Sequence, residues 1–360
     1  MDVEALYDGA VAYVQKRRDT SCSGLQRHLR IGYSMARQLQ DRMEKNGVYA
    51  GMERHVEPEQ VVIKVVGVGG AGCNALEDLM QRAPGVEAIA VNLNAGQLTH
   101  FSADKVVPIG ADWHSDVTNP EVANTLAHRC RNQLGDALCG AHIVVVAAGL
   151  GGATGAGAAP AIARIAKDQG ALCIGVAYAP WSIEDARRHQ NADAAMQALL
   201  SHTDSLFIVP PPVLGGEEGE MSMLDLLQAR DIMLYEIVDV FAQMFAGAGN
   251  MAPSLFDLRG VMGQHGKAMI GTGRASGPDR TCVATELACA ALSDRGADTM
   301  AARGLLVVVT ASRNSRLVKP AHVMAVAASF FASDVSIVMS YMLDDAMRDE
   351  IRVNLIATGM

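Results

Sequence analysis

A chain of 360 residues, half of them hydrophobic and 19% charged, has the length for two or three cored domains and is too apolar for a disordered segment. Its net charge of −9 excludes a protein that is basic throughout, so any polyanion partner must meet a local module. That module comes first: residues 1–57 carry nine Lys/Arg against eight Asp/Glu, and the acidic excess lies in the remainder. The seven cysteines are odd in number, scattered and without a C-x-x-C pair, which speaks against a disulfide framework or a zinc site and for the reducing cytoplasm. Asp2 and Glu4 stand where a secretory leader would be basic.

In chain order, residues 1–50 read as three short helices, "VEALYDGAVAYVQKRR", "SGLQRHL" and "SMARQLQDRMEKNG", the last ended by Gly47. "VYAGMERHVEPEQVVI" reads as an extended wing running into a linker near Pro58. From Val61 to about Pro210 the apolar strands "VVIKVVGV", "VEAIAVN", "KVVPIG", "HIVVVAA", "LCIGVAY" and "SLFIVP" alternate with helical patterns, the signature of a doubly wound parallel sheet. A long helical stretch runs from Met223 to Phe245. A final α/β unit contains the strands "GLLVVVTA", "SIVMSYM" and "RVNLIAT". The expected division is 1–57, 58–222, 223–250 and 251–360. Ile143 to Ala163 is uncharged for long enough to span a bilayer, but its five glycines and Pro160 fit strand–loop–helix better.

The amino-terminal unit is a helix-turn-helix candidate. Met35, Leu39 and Met43 form an apolar stripe on the third helix, and Ser34, Gln38, Asp41 and Lys45 a polar one beside it. Arg27, Arg30, Arg37, Arg42 and Lys45 outnumber Asp41 and Glu44, which suits phosphate contacts, while the polar stripe suits base edges. A small protein-binding module with a solvated charged face fits the same pattern.

Two glycine loops carry the chemistry. The first, "GVGGAGCNA", follows a strand and contains Gly67, Gly69 and Gly72 in G-x-G-x-x-G spacing. A nicotinamide-dinucleotide site would want a carboxylate ending the next strand, and this chain has Asn92 and Asn94 in "AVNLN". No G-x-x-x-x-G-K-[ST] occurs. The second loop, "AAGLGGATGAGAAP", follows the fourth strand, so main-chain amides of both loops could converge on a di- or triphosphate, with Thr154 adding a hydroxyl.

That pair of loops resembles the FtsZ/tubulin superfamily, whose GGGTGTG signature appears as "GGATGAG". The likeness continues through "NPEV", "AKDQGAL", "TDSLFIVP", "KAMIGTGRASGPDR" and "DEIRVNLIATG". It implies a doubly wound α/β GTPase domain, an α/β C-terminal domain and GTP or GDP as ligand, with Mg2+ as its companion ion. By position it implies phosphate contacts at Gly70, Ala71, Gly72, Cys73, Asn74, Ala153, Thr154 and Gly155. Glu184 and Arg188 match a ribose-side acid and a nucleotide-contacting arginine; an ordinary i,i+4 ion pair would explain the same spacing. Asp231 matches the reader of the guanine edge, with Leu227 where the family stacks a Phe. Cys73 stands at a helix N-terminus, where its thiol pKa should fall, although a small buried filler also fits. In "HSDVTNPE", Asp116 stands in the γ-phosphate loop, where it would repel that group unless it turned away or a cation intervened.

The same resemblance implies head-to-tail filaments in which a loop of one subunit completes the site of the next. The pattern N-x-D-F-A-D reads "APSLFD" here, with Ala252 and Ser254 at eroded positions and Asp257 as the surviving acid, so slow hydrolysis is expected. A helix cap would also account for Asp257. "LQRHLRIGY" and "MEKNGV" are similar to the gamma domain of the FtsK family of DNA translocases, a winged helix, with base-reading positions at Ser34, Gln38 and Asp41. With "IATGM" as the last residues given, no membrane-anchoring tail is expected. The leading expectation is a DNA-bound, GTP-dependent filament protein serving segregation or organisation of DNA. The second is a non-polymerising, nucleotide-gated DNA-binding regulator, and a nicotinamide-dependent oxidoreductase is third.

Overall fold

The computed structural model describes residues 61–360 except 84, 111–117, 212–221, 247–250 and 314–319. Before these it describes 3–17, 25, 28–29, 31, 35, 38–39, 42–43 and 45–48.

In the amino-terminal unit, α1 (Val3–Arg17) packs Ala10 and Val14 against Leu25, Leu39 and Met43, all fully buried. Leu39 and Met43 belong to the expected stripe, and Met35 packs against it half-buried. Gly47 adopts φ +71 and the Val48 N–H donates to the Met43 carbonyl at 2.9 Å, a six-to-one bond that closes the third helix. The expected wing over 49–60 lies outside the described residues.

The rest is built on one sheet. Its strands are β1 (Ile63–Val68), β2 (Glu87–Asn92), β3 (Lys105–Pro108), β4 (Ile143–Gly149), β5 (Leu172–Tyr178), β6 (Ser205–Val209), β7 (Lys267–Ala275), β8 (Gly304–Ala311), β9 (Ser336–Leu343) and β10 (Ile351–Thr358). Their spatial order is β3-β2-β1-β4-β5-β6-β7-β10-β8-β9. β1 to β6 are all parallel, and β1, β4 and β5 are buried on both faces, as their continuous apolar runs lead one to expect, while edge strand β3 is largely exposed. β10 runs antiparallel to both β7 and β8. The sequence separates two α/β units; the structure joins them through a short parallel contact, Leu206 beside Lys267 and Phe207 beside Ala268.

Among the described residues ten helices accompany this sheet: α2 (Gly69–Arg82), α3 (Ala95–Leu98), α4 (Pro120–Arg129), α5 (Arg131–Leu138), α6 (Ala153–Asp168), α7 (Ala186–His202), α8 (Met223–Ala246), α9 (Leu255–Met262), α10 (Arg280–Asp294) and α11 (Pro320–Ala328). Successive strand residues point to opposite faces, and the core divides accordingly. Ile143, Val145 and Ala147 of β4 pack with Leu76 and Leu79 of α2 and Leu234, Ile237 and Phe241 of α8. Val144, Val146 and Ala148 pack on the other face with Leu134, Ile162 and Leu199. β1 has β2 on one side and β4 on the other, so the chain reverses its winding between β1 and β4. Beyond the carboxyl ends of such a pair of strands an open α/β sheet forms its binding crevice.

Candidate functional site

Both glycine loops lie at that crevice, one after β1 and one after β4. Each leads straight into a helix, α2 or α6, with no side-chain cap and no acid in its first turn. The first-turn N–H groups are therefore left for an anion, and the positive end of each dipole favours one. Glycine is required for close approach as much as for freedom. Gly69 has φ +71, and a Cβ there would lie 3.2 Å from the Thr154 side chain. A Cβ on Gly72 would run into the Ala147 carbonyl, and one on Gly155 into the carbonyl of Gly149. The two loops thus meet backbone to backbone.

A cleft of about 370 Å³ opens there. Gly70, Ala71, Ala153, Thr154, Gly155, Glu184 and Arg188 line it, which gathers residues 118 positions apart in sequence into one site. Glu184 and Arg188 pair at 3.0 Å and both line the cleft, so the ion pair and a ligand-facing position coexist. Asp185 caps α7 by accepting from the Arg188 N–H at 2.9 Å, which fixes the helix start beside the cleft.

Other expected residues stand elsewhere. Gly72 and Cys73 are buried beneath the loop, and Asn74 is exposed outside the lining. Cys73 corrects the expectation of an acidified thiol: burial pushes it up to about 12, and its sulfur donates to the Gly67 carbonyl at 3.3 Å. Loss of hydration outweighs the helix dipole because the side chain points into the sheet. Asp231 is buried and absent from the lining, behind its neighbour Arg230, which does line the cleft. Asp257 lies outside the lining too. It accepts from the Ser254 hydroxyl at 2.7 Å, while its N–H donates back to that oxygen at 3.1 Å, a cap on α9. Gln38 is exposed and helical beside buried Leu39; Arg27, Ser34, Arg37, Asp41 and Asp116 fall outside the described residues.

The sequence reading missed Tyr178, Trp181, Arg187, Asn191, Thr118 and Arg230, all of which line the cleft. The position of Tyr178 at the carboxyl end of a central strand was the available signal for it. Asn92 donates to Gln97 at 3.0 Å and Asn94 caps α3, so the end of β2 offers no carboxylate to the ribose of a dinucleotide. Among the described residues no His/Cys/Asp/Glu group could hold a metal ion, and no helix is long and apolar enough to cross a membrane.

A doubly wound sheet with two uncapped, glycine-headed helices at its switch point is the architecture of an α/β nucleotide-binding protein. Comparison with known families narrows that class. The GTPase domain of the Tubulin/FtsZ family matches residues 62–211, the C-terminal domain of the FtsZ family matches 266–360, and the FtsK gamma domain matches 1–64. Over 304 residues the chain is 36% identical to the cell division protein FtsZ of Buchnera aphidicola subsp. Schizaphis graminum, covering 83% of this chain and 79% of that one. It is 34% identical over 308 residues to the FtsZ of Pseudomonas putida, covering 84% and 77%. An empty FtsZ dimer from M. jannaschii superposes with TM-score 0.72 at 28% identity, over 85% of this chain and 90% of that one. CetZ2 from Haloferax volcanii, in a GTPγS-bound protofilament, shares the fold with TM-score 0.66 at 19% identity, over 83% and 93%. The chain belongs to the Tubulin/FtsZ family, whose members are GTPases that bind GTP and GDP.

Proposed function

We propose that this chain binds GTP in the cleft between its glycine loops, hydrolyses it slowly within head-to-tail filaments, and attaches those filaments to DNA through residues 1–57. The observation that carries the reading is the convergence of two uncapped helix N-termini where Gly69 meets Thr154. Main-chain amides of Gly70, Ala71 and Gly72, with those of Ala153, Thr154 and Gly155, hold the phosphate oxygens, and the Thr154 hydroxyl adds a donor. Cys73 and Asn74 contribute main-chain amides only. Arg188, fixed against Glu184, supplies positive charge at the sugar and phosphate end. Glu184 is the carboxylate in the described lining and Arg188 already pairs with it, so the described residues offer a companion Mg2+ no open carboxylate; held by the nucleotide, the ion would supply neutralisation of phosphate charge. We assign division of the chain at 57, 222 and 250, and a cytoplasmic setting.

Asp257 does not face the cleft of its own subunit, which suits action on a neighbour. Its carboxylate orients and polarises the water that attacks the γ-phosphate of the adjacent subunit. With one acid where the family pattern has two, turnover is slow. The Asp257→Ala variant should bind GTP normally, sediment with it, and turn it over about 100-fold more slowly. Equal turnover by the two proteins would remove the assignment. The involvement of Asp257 in a helix cap favours a second reading, a non-polymerising nucleotide-gated DNA-binding regulator. Electron microscopy with GTP, with and without DNA, separates the two readings.

A further inference from the structure

Base selection is the part of the site where this chain departs most from its sequence expectation. Arg230 and Asp231 are consecutive on α8, and side chains of consecutive helical residues normally diverge. Here they pair along one edge of the guanidinium, Nε to Oδ1 at 2.9 Å and Nη2 to Oδ2 at 3.3 Å. Both side chains are only 8% exposed. The guanidinium also lies over the Tyr178 ring, 4.8 Å from its centroid, so a second contact fixes its plane. Asp231 is thereby engaged on both oxygens and screened from the cleft, while Arg230 and Tyr178 line it.

The remaining edge of the guanidinium, Nη1 with the second hydrogen of Nη2, makes no hydrogen bond among the described residues. The buried Tyr178 hydroxyl has no partner either. A buried hydroxyl without a partner is uncommon, and one whose ring lies under a guanidinium that also lines the cleft points to a ligand. A planar pair of N–H donors fits a planar pair of acceptors, and guanine presents such a pair at O6 and N7. Adenine offers N7 beside an N–H donor and would be rejected there.

We propose that Arg230, rather than Asp231, reads the base of the bound nucleotide by donating to O6 and N7 of guanine, with Asp231 as the positioning residue that aims it. This rests on nucleotide binding in the cleft. It exchanges acceptance from N1–H and N2–H₂ for donation to the opposite edge, so it makes a different prediction for every base analogue.

The test is titration of the unaltered protein with GTP, 7-deaza-GTP, ITP and ATP, followed by isothermal calorimetry. ITP keeps O6 and N7 and lacks only the 2-amino group, whereas 7-deaza-GTP lacks N7 alone. ITP should bind within about 3-fold of GTP, and 7-deaza-GTP and ATP about 10- to 100-fold more weakly, as for loss of a charge-assisted hydrogen bond. Arg230→Ala should bring GTP and 7-deaza-GTP to equal affinity, and Asp231→Asn should narrow the gap between them. Equal binding of GTP and 7-deaza-GTP by the unaltered protein, with ITP weakened, would overturn the proposal and return the base to Asp231. No binding of any guanosine nucleotide would instead overturn the nucleotide site itself.

Discussion

Cys73 is the fifth residue of α2, near the end where the helix dipole would favour a thiolate, yet its sulfur is fully buried and donates to the Gly67 carbonyl. With its thiol pushed up to about 12, almost none is ionised near neutrality. Iodoacetamide at pH 8 should therefore label exposed Cys139 in the native protein and leave Cys73 untouched, with both labelled in denaturant. Peptide mapping of the alkylated protein reads the outcome, and rapid native labelling of Cys73 would contradict its burial. The contrast with Arg230 is instructive. Both side chains are largely buried, but the thiol finds its partner within the loop while the guanidinium keeps one edge toward the cleft.

Three parallel strands are tied together at their amino ends by one cluster of charges. Glu87 of β2 pairs with Lys64 of β1 at 3.1 Å and Lys105 of β3 at 2.6 Å, and Lys64 also donates to the Ala137 carbonyl at 2.8 Å. Burial lowers the Lys64 pKa and Glu87 opposes that fall. For Glu87, burial raises the pKa, but the hydrogen bonds and charges of Lys105 and Lys64 prevail and hold it below the usual glutamate value. A carboxyl whose folded pKa is depressed contributes stability that is complete above its unfolded value, near 4.3, and is lost as pH falls through the lower folded one. Glu87→Gln should thus flatten the acid arm of the stability curve below about pH 4.3. Near neutrality it should cost about 2–3 kcal/mol, less than for a fully buried pair because Glu87 is part-exposed. Urea unfolding at a series of pH values measures both effects.

At the scale of the whole molecule, the chain couples a small helical unit to a large nucleotide-binding body. Among the described residues of the amino-terminal unit, Leu39 is one of five fully buried side chains that pack together, so truncating it should remove much of the unit's stability. Leu39→Ala should destabilise that unit by about 2–5 kcal/mol and leave GTP binding and sedimentation unchanged. Its DNA shift should be lost. For the unaltered protein, filament–DNA association should weaken linearly in log affinity against log salt, because phosphate contacts release counterions. In the proposed filament many such units would lie along one polymer, so association should be far tighter with GTP than with GDP. Electrophoretic shifts of labelled duplex over a salt series, in each nucleotide, measure both. A duplex shift by Leu39→Ala equal to that of the unaltered protein would place the DNA contacts outside residues 1–57.

What the sequence by itself determined is what repeats locally along the chain. Strands such as "HIVVVAA" declare themselves by continuous apolar runs, the Met35–Leu39–Met43 stripe by helical spacing, and both glycine loops of the cleft by glycines where side chains cannot fit. These signals survive without neighbours because each reflects a backbone requirement of its own segment. β7 is harder to read, since the glycines in "KAMIGTGRA" disguise a strand whose glycines exist to admit α10 against it. Only the tertiary structure decided which polar side chains face the cleft. Nothing in "ARDIM" states that Arg230 turns back along Asp231 onto Tyr178, a residue 52 positions earlier, or that Cys73 points into the sheet. Those outcomes depend on burial and on long-range partners, and a charge or a thiol takes its chemistry from the groups packed around it.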